Sequence, residues 1–107
     1  SQESCNKYYN NIYPDALVVI DSSLVKNIPT DINSKNIFSL PFNQTIQEQL
    51  GTNLPTNIAF LGALAELTDI VTLENIKEAI SNRVPKDSKE LNLKAFDIGM
   101  NLAKRHK

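Results

Sequence analysis

The sequence predicts an α/β fold in which a few strands are followed by several helices, and which is incomplete by itself. The first observation is Ala16–Ile20, ALVVI, a continuous apolar run rich in β-branched residues and ended by Asp21, Ser22 and Ser23. Such a run fits a strand buried on both faces of a parallel sheet, because a half-exposed strand alternates apolar with polar. The second is Leu54–Leu67, LPTNIAFLGALAEL, apolar on every side from Ile58 to Ala65, with small residues at Ala59, Gly62 and Ala63. A helix apolar all round and too short to span a membrane belongs inside a core, which places Leu61 and Leu64 in the interior. The third is a mismatch. A central strand needs neighbours on both sides, and 107 residues offer ALVVI at most one. The expectation is a piece of something larger.

Taken in order, Cys5, Tyr8, Tyr9 and Ile12 are spaced along one face of a short helix that Pro14-Asp15 breaks. The first strand follows. Asn27–Lys35 is polar, contains Pro29 and reads as loop. Asn36–Leu40, NIFSL, is a second short strand limited by Pro41, since a proline donates nothing to a ladder. Asn43 or Thr45 is a candidate cap for a short helix through Leu50, with Gly51 as its stop. The apolar helix then has Pro55 near its first turn, Thr56 or Asn57 as candidate caps, and Thr68-Asp69 as its end.

A further helix starts after Thr72, with Leu73, Ile76, Ile80 and Val84 at spacings of three and four, and Pro85 closes it. Asp87–Glu90, DSKE, has the spacing of a capping box with Asp in the leading place. The last helix sets Leu91, Ala95, Ile98 and Leu102 on one face. Gly99 beside that stripe costs about 1 kcal/mol of helix propensity against Ala, which points to close packing there.

Composition excludes several function classes. The chain is 41% hydrophobic and 21% charged, with a formal net charge of −1 and the two signs interspersed. No surface for phosphates is expected, and so no nucleic-acid partner. Lys104–Lys107, KRHK, is the basic run, and its plain reading is a solvated helix end whose cations suit the negative pole of the helix. No apolar run reaches membrane-spanning length, so no membrane role is expected. Cys5 stands alone, which rules out an internal disulfide and makes a reducing cytoplasm the natural compartment.

Residues for chemistry are few. His106 is the single histidine, next to the last position, where nothing fixes its geometry for proton transfer. One Cys and one His make no thiolate–imidazole metal site. Cys5 as a nucleophile would need a base and a lowered pKa, and a packed helical cysteine is the simpler reading. Asp21-Ser22-Ser23 lies where ligands of open α/β sheets bind, beyond a strand's carboxyl end. The competing reading, which we favour, is that these side chains satisfy the turn's own backbone. Glu66 with Asp69, and Glu74 with Glu78, share helix faces but read as solvated or helix-end charges rather than acid/base pairs. Neither G-x-G-x-x-G nor a Walker loop is present. We assign no catalytic, cofactor-binding or metal residue. Asn57 and Asn92 are the polar positions in the two strongest blocks: Asn57 is placed to cap the apolar helix, Asn92 to hydrogen-bond across helix packing.

Five collinear blocks resemble the C-terminal part of the gamma subunit, or gamma domain, of the 2-oxoacid:ferredoxin oxidoreductases that act on pyruvate, ketoisovalerate or 2-oxoglutarate. They are SQESCNKY at Ser1–Tyr8, LVVIDSSLV at Leu17–Val25, FSLPF at Phe38–Phe42, TNIAFLGAL at Thr56–Leu64 and ELNLKAFDIG at Glu90–Gly99. The resemblance implies that 1–107 is the C-terminal portion of a Rossmann-like domain. It implies a multisubunit enzyme that oxidatively decarboxylates a 2-oxoacid to an acyl-CoA with ferredoxin as electron acceptor. Thiamine diphosphate, iron–sulfur clusters and CoA are expected in the complete enzyme and none on this segment. The lone Cys5 agrees, since a cluster takes several cysteines.

The family's glycine-rich strand–turn–helix and its Arg-Gly-Gly segment have no counterpart here. Expected partners are therefore the missing N-terminal half of the gamma domain and the alpha, beta and ferredoxin-like subunits. The segment's expected role is architectural and inactive alone. The alternative class is a small stand-alone protein-interaction module.

Overall fold

Five residues that carry both β-branched side chains and a terminal aspartate, Leu17–Asp21, form strand β1. Asn36–Leu40 forms β2 and pairs with β1 in parallel, Leu17 opposite Asn36 through Asp21 opposite Leu40. The parallel pairing and the absence of alternation in β1 agree with the sequence: Leu17, Val18 and Val19 are half-buried, Ile20 and Asp21 buried. This computed structural model describes residues 2, 17–27, 36–68 and 73–106. The helix expected over Ser1–Tyr13 falls outside them apart from Gln2. Among the described residues the sheet has two strands, and each keeps one edge open.

The chain divides into two units, Ser1–Pro41 and Phe42–Lys107. In the first, the Ser22 N–H donates to the Leu40 carbonyl at 2.9 Å, carrying the ladder one residue past β1. The Asn27 N–H donates to Gln2 Oε1 at 2.7 Å, and Gln2 Nε2 donates back to the Asn27 carbonyl. The side-chain amide of Gln2 thus pairs with a backbone peptide as a strand residue would.

The second unit is helical: α1 Phe42–Leu50, α2 Thr56–Leu67, α3 Leu73–Arg83 and α4 Lys86–Arg105. Helix α1 starts directly after Pro41, so neither Asn43 nor Thr45 caps it. It buries Phe42 and Ile46 completely. It stops at Gly51, whose φ of 75° is left-handed and whose N–H donates to the Gln47 carbonyl at 3.0 Å. A Cβ at Gly51 would meet nothing within 4 Å. Gly51→Ala is therefore expected to cost about 1 kcal/mol through backbone strain alone. Urea denaturation checks it, and Gly51→Asn should recover most of the loss.

The turn into α2 is held by Asn53, whose amide donates to Asn43 Oδ1 at 3.2 Å. The carbonyl of Asn53 accepts from the Thr56 hydroxyl at 2.6 Å and the Thr56 N–H at 3.2 Å. At its other end the Thr68 N–H and hydroxyl both donate to the Leu64 carbonyl, at 2.9 and 2.8 Å. Helix α4 begins at Lys86 behind Pro85, one residue before the expected cap. Asp87 consequently sits inside the first turn, where its charge meets the helix's positive end, and no capping box forms.

Two expectations about burial change. The fully buried residues of α2 include its small ones, Ala59, Gly62 and Ala63, while Leu64 remains 39% exposed. In α4 the buried stripe is Ala95, Phe96, Gly99, Leu102 and Ala103, with Leu91 and Ile98 only half-buried. The stripe is rotated toward Gly99 because the neighbouring helix approaches at that glycine.

Candidate functional site

Two features of the helical unit stand out physically. The first is the contact of α2 with α4. Ala59, Gly62 and Ala63 recur at three- and four-residue spacing and so share a face. A Cβ on Gly62 would fall 3.0 Å from the Phe96 carbonyl carbon and 3.1 Å from the Met100 nitrogen. A Cβ on Gly99 would fall 2.7 Å from Ala59 Cα, with the Ala59 carbonyl oxygen nearer still. The two backbones therefore touch, each glycine making room for the other helix.

That contact spends the small face of α2 on α4 and turns its large side chains elsewhere. Phe60 stacks on Phe42 with ring centroids 4.2 Å apart. Ile58 and Leu61 pack against a cluster of Ala65, Ile76, Ile80 and Phe96. Between α2 and α3 this leaves the second feature, an open groove of about 400 Å³. Its walls are aliphatic, from Ile58, Leu61, Ile76, Ile80 and Val84, with Asn75 and Arg83 as the polar members.

Helix α3 is tied to α4 by Lys77, whose Nζ lies 2.8 Å from Asp97 Oδ1 and 5.9 Å from the centre of the Phe96 ring. Both charged side chains are more than a third exposed, so the pair adds little. Lys77→Met, which keeps the aliphatic stem over Phe96, is expected to shift stability by less than about 1 kcal/mol in thermal melting.

Within the helical unit, the described residues singled out by sequence are spread over separate helices and helix ends. Asp21, 5% exposed, accepts the Ser23 N–H on Oδ1 at 2.9 Å, and its carbonyl accepts from Leu24 and Val25 at 3.0 and 2.9 Å. Asp21 and Ser23 thus close a turn around themselves. Asn57 is exposed on the first turn of α2 and makes no capping hydrogen bond; Pro55 stands at the cap position. Asn92 does not reach across helices. Its Nδ2 donates to the Ser88 carbonyl one turn back, at 2.8 Å, because i and i−4 are the nearest neighbours on a helix. Glu74 and Glu78 are exposed on α3, Glu66 lies near the end of α2, and Asp69 lies outside the described residues. His106 follows α4, its N–H donating to the Ala103 carbonyl at 3.2 Å, beside exposed Lys104 and Arg105. Cys5 is outside the described residues.

No group of three or more His, Cys, Asp or Glu that could hold a metal occurs among the described residues. With one cysteine in the whole sequence, the residues present do not fit an iron–sulfur cluster. No helix among the described residues is long and apolar enough to cross a membrane. What sequence reasoning missed is Phe96, and with it the groove. The usable signal was the pairing of Ile58 and Leu61 on α2 with the spacing of Ile76 and Ile80 on α3 and Val84 just past its end.

The sequence profile of the family described as pyruvate ferredoxin/flavodoxin oxidoreductase matches residues 1–102. The chain belongs to that family. Among curated relatives, the 2-oxoglutarate synthase subunit KorC of Methanocaldococcus jannaschii is 35% identical over 104 residues, 97% of this chain and 56% of that protein. The chain spans about half the length of the curated relatives it matches.

Among solved structures, the gamma subunit of a keto/oxoacid ferredoxin oxidoreductase from Geobacter sulfurreducens PCA is similar with a TM-score of 0.87 and 33% identity. The similarity covers 98% of this chain and 61% of that one. The 2-oxoglutarate:ferredoxin oxidoreductase of Magnetococcus marinus, solved with 2-oxoglutarate, coenzyme A and succinyl-CoA bound, has a TM-score of 0.79 at 27% identity. It is matched over 96% of this chain and 18% of its own. The two parallel strands and four helices described here follow the gamma-subunit fold.

Proposed function

We propose that this chain is an architectural part of the gamma component of a cytoplasmic 2-oxoacid:ferredoxin oxidoreductase, and carries none of its chemistry. The observation behind this reading is the match over 98% of the chain to a gamma subunit. Thiamine diphosphate, iron–sulfur clusters and the CoA site belong in this reading to the rest of the assembly. The partners are the alpha, beta and ferredoxin-like subunits together with the remaining part of the gamma domain. That remaining part would extend the open edges of the β1–β2 sheet, completing a Rossmann-like layer.

The substrate class is a 2-oxoacid. Since the KorC relatives are subunits of 2-oxoglutarate synthases, 2-oxoglutarate is the first to try. The test is co-expression of the subunit carrying this chain with the candidate partners. Expected are a stable co-purifying complex and 2-oxoacid- and CoA-dependent reduction of ferredoxin, both lost when this subunit is left out. A complex that assembles and turns over at full rate without it would refute the proposal.

A further inference from the structure

The four helices of the second unit are not fastened alike. Helices α2 and α4 touch through their backbones at Gly62 and Gly99. Helix α1 is anchored by Phe42 and Ile46, both fully buried, and Phe42 stacks on Phe60 of α2. Its Asn43 also accepts from the Asn53 amide in the next turn. Helix α3 is held more lightly. Between Glu74 and Arg83 its buried residues are Ile76 and Ile80, 8% and 6% exposed. It runs along α4, and the open groove separates its backbone from α2. Its ion pair to α4, Lys77 with Asp97, is more than a third exposed on both sides and contributes little.

The helix adds little stability of its own. It has 11 residues, and isolated helices shorter than about 12–15 residues are marginal in water. Two isoleucines, two asparagines and a serine in LENIKEAISNR are weaker helix formers than alanine or leucine. Glu74 and Glu78, both exposed, set like charges one turn apart. The joint to α4 is a short one. The Val84 N–H donates to the Ile80 carbonyl at 3.1 Å, and the Ser88 N–H donates to the Pro85 carbonyl at 3.1 Å. Pro85 between them has no N–H to donate across the joint.

We infer that α3 is a strap, which lifts off α4 as one unit by bending at Val84-Pro85 while α1, α2 and α4 stay packed. Local opening is concentrated where buried apolar contact is sparse and the polar ties are exposed. When α3 lifts, it uncovers the Phe96 ring together with Ile58 and Leu61, which share a cluster with Ile76 and Ile80 in the closed position. The strap belongs to the helical unit itself and operates whatever assembly the subunit joins.

Hydrogen–deuterium exchange of the whole subunit, followed by mass spectrometry on peptides from each helix, tests it. Expected is exchange over 76–83 at least about tenfold faster than in α1, α2 and α4, after correction for intrinsic rates. Urea below the unfolding transition should hardly change the α3 rate, because lifting one helix exposes little new surface. The α2 and α4 rates should rise with the slope of global unfolding.

Equal protection in all four helices, or one common urea slope, would mean that the unit opens only as a whole and would overturn the strap. Faster exchange in α1 than in α3 would overturn it as well, since the buried Phe42 and Ile46 would then not outweigh Ile76 and Ile80. So would exchange in α2 and α4 as fast as in α3, which would mark a helical unit with no packed frame for a strap to leave.

Discussion

Phe96→Ala is expected to cost about 3–5 kcal/mol, enough to unfold a marginal helical unit. The ring is fully buried and lies in one cluster with Ala65, Ile76 and Ile80, with Leu61, Val84 and Leu93 packed against that cluster. Removing it opens a cavity at the meeting point of α2, α3 and α4. Collapse into that space is blocked on one side, because the Phe96 carbonyl already lies against Gly62. The measurement is urea denaturation of the subunit followed by far-ultraviolet circular dichroism. Phe96→Leu, which refills most of the volume, should recover more than half of the loss. A loss below about 1 kcal/mol for Phe96→Ala would contradict the packing described.

Gly99→Ala is expected to destabilise despite improving helix propensity. The substitution contributes about 1 kcal/mol in favour of the helix. Against that, the new methyl would sit 2.7 Å from Ala59 Cα and closer to its carbonyl oxygen, and these are backbone atoms that no rotamer change can move. Helices α2 and α4 must separate, with an overpacking cost of about 3 kcal/mol or more. The net loss is about 2 kcal/mol, larger than the strain-only loss at Gly51, where space is open. Comparing the two glycine variants by thermal melting separates steric from conformational cost. If Gly99→Ala proves stabilising, α2 and α4 do not touch through their backbones.

The sequence by itself determined the order of elements and the places where they end. Pro41, Gly51, Pro55 and Pro85 act through their own backbone chemistry, so their effects are local and readable residue by residue. The continuous apolar run at Leu17–Ile20 carried the parallel pairing, and the three- and four-residue spacing carried α3. The small residues of α2 and Gly99 carried the expectation of close approach. Five blocks in order were enough to point to the family.

Only the tertiary structure decided which glycine faces which helix, that the stripe of α4 runs through Phe96 rather than Leu91 and Ile98, and that Leu64 lies exposed. It also turned Asn92 back onto Ser88 and removed Asn57 from any cap. The physical reason is that periodicity states which residues share a face but not which neighbour that face meets. Here the neighbour is set by mutual fit of two backbones at Gly62 and Gly99, a relation between residues 37 positions apart that no local pattern encodes.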